Sequence, residues 1–222
     1  MKLYKLVKRQ DDGKLVSGLY SGAIYHTEWQ FGVAAKELSS WPICSRTWYY
    51  GYIHPLLAAF FRLAHVPSYD TLLEGEGKIG YIDAAKVGMT VFTPEREVPL
   101  PVITIEQFVE IGIRVSLLLP QSNAYRVWAE DWLSGKDRTV KTARRMWVEN
   151  SLRWNEAWGS MEARVPETVV LAAARMEDWP LQAAEAAVLA VCVVHHIAVD
   201  VILGIIQEVV NKAGCSSGNI SN

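Results

Sequence analysis

A chain of 222 residues, half of them apolar and 21% charged, can bury a substantial core as one large domain or two small ones, which excludes a disordered polypeptide. Eleven Lys and Arg stand against ten Asp and Glu up to Ile103, and eleven against fourteen beyond it. A net charge of −2 spread this evenly disfavours both a strongly basic nucleic-acid binder and an acidic nucleic-acid mimic.

The opening MKLYKLVKRQDDGKL is charged too often for a secretory leader. Cys44, Cys192 and Cys215 are an odd count at wide spacing with no C-x-x-C, a pattern of reduced thiols rather than of a disulfide framework or zinc site. Together these predict a cytoplasmic protein. LYKLV, then QDDGK, then LVSGLYSGAIY predict a hairpin, because Asp-Gly supplies the positive φ angles of a tight reversal; Gly18 and Gly22 predict further bends. HPLLAAFFRLAH predicts a short buried helix with Pro55 in its first turn. A polar loop follows, and then strand-like text in KIGYIDAAKVGMTVFTPEREVPL.

The period changes at Pro101. Thr104 and Gln107 have capping-box spacing, so a helix is expected from Ile105 to Leu119, stopped by Pro120. AYRVWAEDWL predicts a second helix closed at Ser134-Gly135, and Asp137 reads as the cap of a third carrying RTVKTARRMWVENSLRWNEAW. PETVVLAAARME predicts another. PLQAAEAAVLAVCVVHHIAVDVILGIIQEVVNKAG predicts one long final helix, apolar nearly all round and central to the helical half. Its stretch Ala186 to Ile206 has the length of a membrane span. His195, His196 and Asp200 in its middle, with no strong Lys/Arg cluster on either flank, favour a buried core helix over a membrane-associated one. The expected fold class is α+β: a small strand-rich α+β part over 1–103, an all-helical bundle over 104–214 and a flexible tail over 215–222.

Three places carry candidate chemistry. ICSRTWYYGYIHP, Ile43 to Pro55, holds Cys44 and His54, a conceivable nucleophile and base, and Tyr49, Tyr50 and Tyr52, which could stack a planar ligand while Arg46 holds a phosphate. Its simpler reading is a wall of aromatics packed against the following helix. His196 and Asp200 lie four apart on one helical face. Two ligands are too few for a metal, and a buried hydrogen-bonded pair satisfies both groups, so no metal and no cofactor is expected. In KDRTVKTARR, Lys136, Arg138, Lys141, Arg144 and Arg145 outnumber the single Asp137 on consecutive helical turns with Trp147 close by, a composition suited to docking an acidic partner or a nucleic-acid backbone. Glu149, Glu156 and Glu162 dilute the field, and a solvated helix face is the alternative. Six of the nine tryptophans fall between Trp128 and Trp179, so some are expected in the core and one or two as exposed anchors. A homo-oligomer is compatible with the apolar final helix.

The segments ICSRTWYYGYIHPLLAAF, IDAAKVGMTVFTPEREVPLPVITIEQFVEIGI and WAEDWLSGKDRT resemble an uncharacterised family of bacteriophage and prophage proteins, over roughly residues 20 to 180. REVPLP and WLSGKDR are the most specific pieces, and the hydrophobic C-terminus departs from the pattern in having fewer alanines. The resemblance implies a small N-terminal α+β domain, a helical tail and a phage origin; it implies no catalytic residues. By context it implies an accessory protein in the cytoplasm of the host bacterial cell, binding a host protein as an inhibitor or modulator, with anti-CRISPR and other anti-defence proteins in the same class. The enzymatic alternative is an ADP-ribosyltransferase-like domain using NAD, for which Arg46, Tyr49, His54 and Glu97 are the candidates.

Overall fold

The computed structural model describes residues 1–17, 27–35, 49–65, 68–82, 86–156, 164–192 and 197–216. The chain is mixed α and β, strands first and helices after, and divides into two compact units, Met1–Val102 and Ile103–Asn222.

The first unit is one antiparallel sheet with a helix against it. Its strands are β1 (Lys2–Arg9), β2 (Leu15–Ser17), β3 (Thr27–Trp29), β4 (Tyr49–Gly51), β5 (Thr71–Ile82) and β6 (Val87–Val98), in the order β3-β2-β1-β5-β6-β4. The β1–β2 reversal follows from Asp12-Gly13: Gly13 takes φ 83° and donates to Gln10 O, and Gln10 donates to Lys14 O. Gly18 and Gly22 lie outside the described residues. The sheet curls until Tyr52, just past β4, exchanges two backbone hydrogen bonds of 2.7 and 2.8 Å with Tyr4 of β1. Beyond β4, the segment after β3 covers the same side of β6, with Gly32 donating to Pro94 O and Ala35 to Phe92 O.

Alternation sorts the sheet's two faces. Leu3, Val7, Leu73, Met89 and Phe92 enter one core with Leu15 and Trp29. Leu6 and its cross-strand partner Leu72 point the other way, and α1 (Pro55–His65) packs on β1 with Leu57, Phe60 and Phe61 buried. The polar loop expected before Lys78 is in fact the first half of β5. Thr71–Gly77 reads as loop because Glu and Gly interrupt it, yet close strand approach requires the glycine: a Cβ on Gly77 would lie 2.8 Å from Leu3 Cδ1 and 2.9 Å from Val91 O.

The described residues of the second unit contain helices and no strand: α2 (Ile105–Ser116), α3 (Asn123–Leu133), α4 (Val140–Glu156), α5 (Val165–Arg175), α6 (Pro180–Cys192) and α7 (Val199–Ser216). Thr104 and Gln107 form the expected capping box, worth about 1 kcal/mol. α2 stops at Ser116 rather than Leu119, because the last residues tighten into a turn with Leu118 donating to Val115 O and Leu119 to Ser116 O. The single long final helix is two. Ala198 O accepts from the amides of Val201 and Ile202, starting α7 afresh. Both α6 and α7 pack on α2. α7 also takes in Cys215 and Ser216, which the sequence assigned to the tail; 217–222 lie outside the described residues. Small residues let the helices close in. A Cβ on Gly112 of α2 would already touch Ala187 of α6 and Val169 of α5 at 3.4 Å. No helix among the described residues is long and apolar enough to cross a membrane.

Candidate functional site

The basic stretch Lys136 to Arg145 lies at the turn from α3 into α4. α3 starts at Ser122, whose Oγ accepts from Tyr125 N, and buries Tyr125, Trp128, Ala129 and Trp132 at three- and four-residue spacing. Gly135, at φ 78°, closes it by donating to Trp132 O. The expected cap of the next helix, Asp137, is one residue pair early: Thr139 Oγ1 accepts from Thr142 N, while Asp137 accepts from the hydroxyls of Thr139 and Thr142 and from Thr139 N. Those donors hold the Asp137 carboxyl down at about 2.

The structure separates the five residues expected to bind a partner. Arg138 is turned inward. Its guanidinium lies 4.6 Å over the Trp132 ring, Nε donates to Trp132 O at 2.8 Å, Nη2 donates to Leu133 O, and Glu106 and Glu110 of α2 supply carboxylates. It ties the turn to α2. Arg144 pairs with Asp178, just past α5. Arg145 is exposed with Glu149 at 3.9 Å, and Lys141 is exposed with no ion pair among the described residues. Trp147 is half-buried, its shielded Nε1–H without an acceptor among the described residues.

Arg145 lines a groove of about 400 Å³ between α3 and α4. Val127, Trp128 and Asp131 face it from α3, and Arg145, Met146 and Glu149 from α4. Val127 is half-exposed; Trp128 is 5% exposed, and its buried Nε1–H, like that of Trp147, has no hydrogen-bond partner among the described residues. Asp131 is paired with Lys136 at 2.8 Å, which raises the Lys136 pKa. Sequence reasoning singled out Arg145 but missed the groove; its signal is Ala124, Val127, Trp128 and Asp131 repeated in spacing by Thr142, Arg145, Met146 and Glu149.

The other candidates do not assemble. Tyr49 is packed in the sheet core, edge-on to Trp29 at 5.3 Å, and burial raises its pKa. His54 Nδ1 accepts from Leu56 N at the start of α1, and burial lowers its pKa. Glu97 is exposed and paired with Arg9. Tyr49 is in register with Met89, so Glu97 stands about 26 Å further along β6, and no shared site forms. Cys44 and Arg46 lie outside the described residues, as do His195 and His196; Asp200 is exposed in the first turn of α7. No group of three or more His, Cys, Asp or Glu placed to hold a metal occurs among the described residues.

One titratable group escaped the sequence altogether. Lys5 is 6% exposed, inward beside Leu3 and Val7; its Nζ donates to Tyr50 O at 2.8 Å and lies 5.3 Å over the Trp29 ring. Loss of hydration lowers its pKa to about 7. The signal was the position of Lys5 within the alternation LYKLV. On the opposite face Glu74 takes Arg96 and Lys2 at 2.8 and 3.1 Å, and these bonds lower its pKa.

No protein-family model matches the chain, and searches of curated proteins and of solved structures likewise return no match.

Proposed function

We propose that the protein works by stoichiometric binding of another protein through the α3–α4 surface, as a phage accessory factor that inhibits or modulates a host bacterial protein. The observation that carries this reading is the groove itself, a concave surface of mixed character in which Met146 and the half-exposed Val127 stand beside charged side chains of both signs. Lys141 and the exposed Val148 extend the same surface along α4. In this reading the second unit is a helical bundle whose task is to hold α3 and α4 rigid, with Arg138 as the clamp between α2 and the turn.

The resemblance to phage and prophage proteins supports a host bacterial partner, and bacterial immune systems, CRISPR systems among them, are the class of target such a factor would meet. The test is affinity purification of the full chain from bacterial lysate, identification of the captured protein, and titration of the two purified components. A saturable one-to-one complex, broken by the double variant Val127→Asp, Arg145→Glu, is the expected result. Absence of any saturable partner, or transfer of label from NAD to a lysate protein, overturns it.

A further inference from the structure

We propose that Lys5 makes the seam between β1 and β4 sensitive to protons: uptake of a proton by its amine loosens the seam, and the neutral amine holds it shut. The device belongs to the first unit and is independent of the protein-binding reading.

The seam is short. Two backbone bonds join Tyr4 to Tyr52, and Lys5 Nζ donates to Tyr50 O at 2.8 Å. β4 is three residues long, and on its other side Tyr49, Tyr50 and Gly51 pair with β6. Lys5 is therefore bonded to a strand that can part from β1 without breaking the β1–β5 or β5–β6 ladders.

Burial makes the amine the sensitive point. Lys5 is 6% exposed, in one row with Leu3 and Val7, and its Nζ has the Tyr50 carbonyl and the Trp29 ring for company. Among the described residues no carboxylate pairs with it. A neutral amine is served there by one donated bond, whereas an ammonium brings a charge and three donors and regains water when β4 moves aside. An apolar side chain in this row would leave the seam indifferent to pH.

The surroundings set the range. Among the described residues, the elements packed on this face bring one titratable group, Tyr49 of β4, and burial raises its pKa. Alternation places Tyr4, Lys2, Glu74 and Arg96 on the other face, and the Tyr50 ring with Lys86 over it. Glu74 stays ionised, because its bonds to Arg96 and Lys2 lower its pKa. In the closed form Lys5 titrates at about 7, against 10.5 in water, so between these limits the opened form holds one proton more. Opening should become about tenfold more frequent for each pH unit lost within that range and level off below pH 7.

The experiment acylates the full chain with N-hydroxysuccinimidyl acetate and reads modification of Lys5 by peptide mass. The neutral amine is the nucleophile, so in the urea-unfolded chain the rate should rise about tenfold per pH unit from pH 7 to about 9.5. In the folded chain opening declines as the neutral fraction grows, and the rate should stay level over the same range. The route is tested with the double variant Tyr4→Cys, Tyr52→Cys, because residues that exchange both bonds across antiparallel strands stand about 5.5 Å apart at Cα, within disulfide reach. Oxidising this variant should slow acylation of Lys5 by about tenfold or more relative to the same variant reduced. A folded-chain rate that climbs with pH as the unfolded one does overturns the proposal. Equal rates in the oxidised and reduced variant also overturn it, since the amine would then reach solvent past a closed seam. The wild-type profile requires no substitution and decides the question even where the double variant does not fold.

Discussion

Each unit sets a cation over a tryptophan ring, and the two are provided for in opposite ways. Lys5 lies 5.3 Å over Trp29 with one carbonyl to receive it and, among the described residues, no carboxylate. Arg138 lies 4.6 Å over Trp132 with two carbonyls and two carboxylates. The chemistry of the head groups accounts for the contrast. An ammonium can give up its proton when water is withdrawn, so a lysine can be buried with few acceptors; a guanidinium stays charged, so an arginine drawn inward must bring its acceptors with it. Lys5 is a core residue that becomes neutral, and Arg138 is a cross-link.

The largest expected effect lies with Lys5. Its folded pKa is about 7 and its ordinary value 10.5, so between these limits the unfolded chain binds the extra proton and stability rises with pH. The rise is at most about 1.4 kcal/mol per pH unit and about 5 kcal/mol over the window, and below pH 7 the penalty is constant. Lys5→Met should raise stability at pH 7 and flatten this limb. Urea titrations of both proteins between pH 6 and about 9.5 check it. Tyr4 and Tyr49, whose pKa values burial raises, act in the opposite sense above about pH 10, which is why the window stops short. A parallel pair of stability curves would make Lys5 a charged residue after all and end the contrast.

Next in size is Arg138→Met, which strips a partner from Glu106 and Glu110 and leaves the carbonyls of Trp132 and Leu133 without their donor. About 2 kcal/mol of destabilisation is expected, chiefly from the two carbonyls, since solvent screens the carboxylates, with Arg138→Lys recovering less than half because a point charge cannot reproduce the planar fork. Equilibrium unfolding followed by tryptophan fluorescence measures both. Full rescue by lysine would show that charge alone, and not geometry, holds the turn.

Thr104→Ala should cost about 1 kcal/mol through the lost capping box, without altering the pH dependence of stability that Lys5 creates. The smallest effect belongs to Asp137. Its carboxyl, ordinarily near 3.8, is held at about 2, so its contribution is complete above pH 4 and is lost as pH falls towards 2. Asp137→Asn should remove that acid limb from the helicity measured by circular dichroism and leave neutral-pH behaviour close to wild type.

What could be read in advance depended on how local the cause was. The capping box at Thr104, the closing glycine of α3 and the Asp12-Gly13 reversal are decided by residues within a turn of one another, and each stands as the spacing implied. Thr71–Gly77 was misread because its glycines answer to strands elsewhere in the chain rather than to a bend. The break between α6 and α7 falls where no Gly or Pro marks a stop, so the sequence reads straight through it. The site divides along the same line. A run of basic residues is visible in KDRTVKTARR, but whether each cation faces outward depends on Glu106, Glu110, Trp132 and Asp178, whose positions only the tertiary structure supplies. The groove needed two helices to be brought side by side.

The paired bonds between Tyr4 and Tyr52 have a kinetic consequence. They fasten the chain just beyond a three-residue strand to the middle of an eight-residue one, so neither amide can exchange its hydrogen with solvent unless the curl springs open there. The two amides should therefore exchange at one common rate, a gauge of how often this seam parts while the rest of the sheet stays intact. Because β1 would then expose unpaired backbone, that same opening is the moment at which a second molecule could add a strand.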